Sequence, residues 1–229
     1  SEAAGSAART LPCEEEGLIL SITTFDGKSE SKPFLKCFGH TWIGLDNRTG
    51  HTVYLKDRAI PDGAMVTFSV WAVSGLSGLL FDLEPCYIAN YGRYTGRLSL
   101  STNIGEEQLK VIEDYMEQQD KNCSYWSIHL WNEVVGEDAA LKIRGFVCTP
   151  EKIEQAFSAF DCVEVNKDFS RAGGIYCYKD GAFTSDCTME QMIDFCVPVL
   201  TRQMPGLPAE AARAQMNQFF PYLKRWKKN

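Results

Sequence analysis

The chain has 229 residues, 45% hydrophobic and 23% charged, with a formal net charge of −7 and a pI near 5.1. That is enough length for one sizeable core, and the composition is that of a globular protein rather than a disordered one. A field of that sign repels phosphate backbones and anionic lipid, which excludes nucleic acid as a partner class, and no stretch approaches the roughly 18 to 20 apolar residues that span a bilayer.

Residues 1–16 begin small, polar and Ala-rich and are expected to be a disordered lead-in. Gly17-Leu18-Ile19-Leu20-Ser21-Ile22 is a short β-branched run that predicts a strand, and Asp26 to Ser31 is an exposed polar loop. Phe38 to Leu45 predicts a second strand, Asp46-Asn47-Arg48-Thr49-Gly50 a turn, and His51 to Leu55 a third strand. Two such runs around a polar, Gly-ended loop predict an antiparallel hairpin. Ala64 to Trp71 predicts a further strand. From Gly75 to Gly96 the chain is rich in Gly, Pro and aromatics without a period, so a long irregular connection is expected there, a kind of segment that often carries function. A short strand over Leu98–Leu100 closes this part.

Helical signals follow. Gly105 to Gln119 places Leu109, Ile112, Tyr115 and Met116 at helical spacing, and Asp120-Lys121-Asn122 breaks it. Cys123 to Val135 predicts a second helix with Trp126, Leu130, Trp131 and Val134 on one apolar stripe. Thr149 is placed to cap a third helix with Pro150 at its first position. Ile175 to Phe183 predicts a small hairpin, and Pro208 to Lys228 a final amphipathic helix. Its basic end, Lys224-Arg225-Trp226-Lys227-Lys228, is a solvated helix terminus. Strands first and helices afterwards give an α+β class.

Nine cysteines occur: Cys13, Cys37, Cys86, Cys123, Cys148, Cys162, Cys177, Cys187 and Cys196. No two show the CxxC spacing of a zinc or redox site, and Glu190 with Asp194 and the Asp186-Cys187 pair are solvated acids at a helix start. No metal and no cofactor is expected. An odd count suits one functional thiol plus up to four bridges in a secreted or cell-surface protein. A reduced cytoplasmic protein with buried cysteines is the alternative.

Cys123 stands out by position. It follows Asn122, a good N-cap, and so sits in the first turn of a helix, where the macrodipole favours the thiolate. A cysteine nucleophile needs a base, and the base needs a third group to fix its tautomer. His40, on a predicted strand, is the candidate base, and His51, opening the partner strand of the same hairpin, is the candidate third residue. His129 lies six positions after Cys123, about 120° around the helix axis, and is badly placed for the role.

The ordered set Gly39-His40-Thr41-Trp42-Ile43-Gly44-Leu45, a Gly-rich aromatic stretch, and Asn122-Cys123-Ser124-Tyr125-Trp126 resembles the circularly permuted NlpC-like cysteine hydrolases. They are a branch of the papain-like superfamily that includes lecithin:retinol acyltransferase-like proteins. The resemblance covers Gly17 to Thr149. It implies a permuted papain-like catalytic domain over residues 17–149, an antiparallel sheet packed on helices. Residues 150–229 lie outside the resemblance and are expected to form a C-terminal extension packed on the same domain, since their helices need an apolar surface to bury. The resemblance further implies Cys123 as nucleophile, His40 as general base and the Cys123 backbone N–H as an oxyanion donor. A histidine in the place of His51 resembles the acyltransferase-like branch.

The expected activity is therefore hydrolysis of an amide bond, in a peptide or a peptidoglycan stem peptide, through an acyl-enzyme on Cys123. A lipid or thioester acyl hydrolase-transferase, and a non-catalytic binding module on the same fold, are the competing readings. Trp42, Trp71, Tyr87, Tyr91 and Tyr94 are read as core and loop packing rather than as a substrate cleft. Gly173-Gly174 is only a turn, with no phosphate-cradling loop around it.

Overall fold

A computed structural model describes residues 8–27, 39–73, 76–118, 121–143, 145, 147–172, 178–179, 182–183, 188–203, 206–223 and 226. In chain order the elements are β1 (Gly17–Phe25), β2 (His40–Arg48), β3 (Val53–Leu55), β4 (Arg58–Ile60), β5 (Met65–Val73), β6 (Leu76–Phe81), α1 (Leu83–Tyr91), β7 (Leu98–Ile104), α2 (Gln108–Tyr115), α3 (Cys123–Val134) and α4 (Pro150–Phe157). Then come β8 (Glu164–Val165), β9 (Tyr178–Lys179), β10 (Ala182–Phe183), α5 (Met189–Gln203), α6 (Ala209–Phe219) and a 3₁₀ turn, Phe220–Tyr222. This is a mixed α+β architecture with an antiparallel sheet and helices.

The chain divides into two compact units, the first of residues 1–72 and 78–173, the second of 73–77 and 174–229. The division falls after Gly173, not at Thr149, because two elements beyond Thr149 build on the first unit. Helix α4 packs on β1, and β8 pairs with β7 through Leu98↔Val165.

The first unit is organised by a six-stranded sheet in the order β6-β5-β2-β1-β7-β8. β1 is its centre, antiparallel to β2 from Gly17↔Arg48 to Phe25↔His40 and to β7 on its other side. Side chains alternate faces along a strand, so Leu18, Leu20, Ile22 and Thr24 share one face and Ile19, Ser21, Thr23 and Phe25 the other. Both faces are covered, which is why β1 and β2 are buried almost end to end. The amphipathic helix α3 packs on β2 and β1, burying Trp126, Leu130, Trp131 and Val134 together. The predicted stripe is thus the buried one. A second cluster gathers Phe25, Trp42, Met65, Tyr94 and Phe169.

Three expectations are corrected here. The lead-in is docked from residue 8 onward: Arg9 N–H donates to Ala159 O at 2.8 Å, Asp161 N–H to Arg9 O at 3.1 Å, and Leu11 is buried. Main-chain groups there have partners, and an apolar side chain has a place to go; residues 1–7 lie outside the described residues. The span 75–96 is no irregular connection, since it holds β6 and α1. Finally, β2 and β3 do not form a hairpin. β3 pairs with β4 through Val53↔Ile60, while β2 takes β5 as its second neighbour. The longer apolar strand covers more of β2 than three residues of β3 could.

In the second unit, β9 and β10 pair through Phe183↔Tyr178, as the sequence predicts, although residues 175–177 and 180–181 lie outside the described residues. Helices α5 and α6 pack through Ile193, Val197, Ala212, Met216 and Phe220, with an Arg213–Asp194 ion pair. Of the basic terminal run only Trp226 is described, stacked on Phe220 at 5.5 Å.

Candidate active site

Cys123 is the first residue of α3. Its N-cap, Asn122, has extended backbone, and its side chain accepts a hydrogen bond from Tyr125 N–H at 2.8 Å, which stops the helix at this residue. The buried stripe then fixes α3 against β2 and β1, so the cysteine is held at the start of β2. There the sulfur accepts hydrogen bonds from Thr41 N–H and from the Ser124 side chain. A buried line of hydroxyls surrounds it: Ser124 Oγ to Thr41 Oγ1 at 3.1 Å, and Thr41 Oγ1 to Thr24 Oγ1 at 3.1 Å. The Thr41 carbonyl receives the Ser69 hydroxyl at 2.7 Å and the Ser127 hydroxyl at 3.2 Å. Cys123 is a thiol, not half of a disulfide.

His40, the first residue of β2, is buried and hydrogen-bonds Cys123. Its Nε2 lies 2.9 Å from Glu84 Oε1, which leaves Nδ1 for the sulfur. A carboxylate can only accept, so Nε2 carries the proton and Nδ1 is free to take one from the thiol. The ring is wedged among aromatics, with centroids 4.2 Å from Trp71, 5.6 Å from Trp42 and 5.9 Å from Tyr94. These residues pack the imidazole, in keeping with their reading as core; the side chain of Tyr91 lies outside the described set.

Glu84 is the residue the sequence reading missed. It is fully buried in the first turn of α1, where the helix dipole favours a carboxylate. Oε1 takes His40 and Oε2 takes the Thr67 hydroxyl at 2.8 Å. The start of α1 is clipped to β5: Asp82 N–H donates to Thr67 O at 2.8 Å, and Asp82 Oδ1 accepts from Thr67 N–H at 2.9 Å. Asp82 itself sits in the left-handed region at φ 56°, a conformation Asp tolerates, and its other oxygen takes Arg58 at 3.0 Å. Burial pushes the Asp82 carboxyl up to about 6, against the Thr67 N–H and Arg58.

His51 is not in the site. Its Nε2 pairs with Glu106 Oε1 at 2.9 Å, with both side chains more than half exposed. Asn47 Nδ2 holds the His51 carbonyl at 2.7 Å, beyond the far end of β2. Eight residues of strand at about 3.3 Å each put that end roughly 26 Å from His40. The expected hairpin, turning over residues 46–50, would itself set His51 opposite Leu45, roughly 17 Å along the strand from His40. A signal for Glu84 did exist, an acid beside Pro85 in the aromatic-rich connection, but only the fold selects it from the other acids. His129 is exposed and stacks on Tyr125 at 4.0 Å, as its helical position requires.

The charges follow from these contacts. Burial raises the Cys123 thiol, but the His40 hydrogen bond and charge, the Thr41 N–H and Ser124 outweigh it and hold the thiol below its ordinary value. Burial likewise lowers His40, and the hydrogen bonds and charges of Cys123 and Glu84 overturn that and lift it to about 9. The two shifts run in the directions that favour thiolate beside imidazolium, and they belong to the pair rather than to either residue. Thr67→Val keeps the shape and removes one donor from Glu84. It is expected to lower kcat roughly tenfold with little change in KM, and Thr67→Ser to restore it. Equal loss in both variants would make Thr67 a packing residue only.

Comparison with known proteins adds one partial match. A family model described as "Putative zinc ribbon domain" matches residues 158–227, less than a third of the chain. No curated protein and no solved structure matches the chain. A zinc ribbon grips its metal with cysteines paired two to four residues apart. In the matched span the cysteines are Cys162, Cys177, Cys187 and Cys196, none closer than nine positions to the next. Cys162 lies in the first unit, its sulfur 3.4 Å from Leu11 N, while Cys196 is set in the middle of helix α5. Cys177 and Cys187 lie outside the described residues. Among the described residues no group of three or more His, Cys, Asp or Glu could hold a metal ion. These residues do not fit a zinc ribbon, and no step is derived through zinc. Among the described residues no helix is long and apolar enough to cross a membrane.

Proposed function

We propose that the chain is a cysteine hydrolase of the circularly permuted NlpC-like kind, cleaving an amide bond in a peptide or peptidoglycan stem peptide. One observation carries this reading: the line Cys123–His40–Glu84, whose hydrogen bonds hold the thiol below its ordinary value and lift the imidazole above its own. Cys123 attacks the carbonyl carbon as thiolate. The oxyanion meets the Cys123 backbone N–H, a first-turn donor with no partner inside the helix. His40 then gives its proton to the leaving amine, which departs and leaves an acyl-enzyme. Water, deprotonated by His40, releases the acid and restores the thiol. Glu84 keeps Nε2 protonated throughout and stabilises the imidazolium.

The test is turnover of muropeptide stem peptides, with the acyl group trapped on Cys123 and located by mass spectrometry. The expected kcat/KM profile is bell-shaped. Its alkaline limb falls near pH 9, where His40 loses the proton it must donate, and its acid limb falls below the ordinary thiol range. Ester or thioester turnover without amide cleavage would move the substrate to the acyltransferase-like class. An inert Cys123 that forms no acyl-enzyme would leave a binding module.

A further inference from the structure

The thiol of Cys148 has no part in the mechanism above, yet it lies within electrostatic reach of Cys123. Cys148 immediately precedes the N-cap of α4, Thr149, whose side chain accepts from Lys152 N–H. The helix start is pinned against the site from two directions. Thr24 Oγ1, the end of the hydroxyl line that begins at Ser124, also donates to Pro150 O at 3.3 Å. Gly39, the residue before His40, lies so close to Pro150 that a Cβ there would stand 2.8 Å from Pro150 Cγ. Asp26 N–H adds a third tie at 3.1 Å to Glu154. These contacts set the start of α4, two residues after Cys148, against the start of β2 and the hydroxyl line that reaches Ser124, and the charge on Cys123 is felt at the Cys148 thiol. Both cysteines are partly buried thiols rather than disulfides.

From this placement we infer that Cys123 and Cys148 form a reversible redox pair, in which a hydroperoxide oxidises Cys123 and Cys148 captures it as a disulfide. The inference rests on the proposed reading of Cys123 as a stabilised thiolate. The thiolate attacks the terminal oxygen of the hydroperoxide. The S–O bond forms as the O–O bond breaks, and the alkoxide leaves with the His40 proton as an alcohol. Cys123 is then a sulfenic acid, oxidised by two electrons, and the peroxide is reduced by the same two. Cys148 sulfur attacks that of Cys123, the S–S bond forms, and hydroxide leaves with the Cys148 proton as water. The disulfide blocks the nucleophile and protects it from irreversible oxidation, and an external dithiol restores both thiols.

The electrostatics time the second step. Burial holds the Cys148 thiol up at about 11, the charge on Cys123 adds to it, and Lys152 opposes. Oxidation to the uncharged sulfenic acid removes the contribution of Cys123. Cys148 is therefore kept protonated while the nucleophile is reduced and becomes easier to ionise once it is oxidised.

The experiment treats the full chain with one equivalent of hydrogen peroxide and then with an excess, and maps every cysteine by mass spectrometry at each stage, in wild type and in Cys148→Ser. In parallel, the reduced proteins are alkylated with iodoacetamide below pH 7. Wild type is expected to give a Cys123–Cys148 linked peptide that dithiothreitol reverses. C148S is expected to retain fast low-pH alkylation of Cys123, to give a sulfenic acid that dimedone traps, and to proceed to sulfinic acid that dithiothreitol does not reverse. If Cys123 alkylates rapidly but links to another cysteine, or over-oxidises equally in both proteins, the redox pair is overturned and the hydrolase reading stands. If Cys123 neither alkylates below pH 7 nor reacts with peroxide, both fall together.

Discussion

Replacing His40 with Ala is expected to slow the proposed amide hydrolysis by roughly 10³-fold or more, since it removes the group proposed as both base and acid. It also removes the main opposition to burial at Cys123, so the thiol rises. Rapid iodoacetamide labelling of Cys123 below pH 7 should then disappear. The chain has eight other cysteines, so the labelled residue must be mapped. His40 fills a pocket between Trp71, Trp42 and Tyr94, and an alanine there leaves a cavity and takes the donor from Glu84 Oε1. His40→Gln keeps a donor toward Glu84 and serves as the folded comparison. Unchanged labelling at low pH in a folded His40→Gln protein would sink the paired-site reading.

The second large effect belongs to Glu84. Glu84→Gln preserves volume and an acceptor for His40 Nε2–H, and it removes the negative charge. The alkaline limb near 9 depends on that charge together with Cys123, so it should move to lower pH, and kcat should fall by roughly 10- to 100-fold. Glu84→Ala is different in kind, because His40 and the Thr67 hydroxyl then lose their partner in a fully buried space. Its expected cost is about 3 to 5 kcal/mol of stability, read by denaturant unfolding. A Glu84→Gln protein whose pH profile matches wild type would show that the carboxylate only fills space.

Much of this site was legible before any coordinates, and the reason is local. Asn122 caps a helix by a bond three residues long, and Thr149 with Pro150 does the same for α4, so sequence alone places those starts. The Trp126–Leu130–Trp131–Val134 stripe announces its buried face by period. His40 is found because its strand begins a recognisable run. What failed were judgements about pairing. The sequence run from His51 to Leu55 resembles a partner for β2, but pairing is a competition among all strands, and β5 wins it with nine residues against three. His51 follows the far end of β2, a strand's length from His40, and is left in an exposed pair with Glu106.

Sequence by itself thus determined the α+β class, the cap that puts Cys123 at a helix N-terminus, and the strand that carries His40. Each depends on residues within a few positions of one another. Tertiary structure decided which acid faces the imidazole, since Glu84 comes from a helix 44 positions along the chain and is chosen by its clip to Thr67. It also decided that Cys148 lies within electrostatic reach of Cys123, because α4 returns to β1 and the segment before β2. Those proximities are set by how layers stack on the sheet, and no short-range pattern records them.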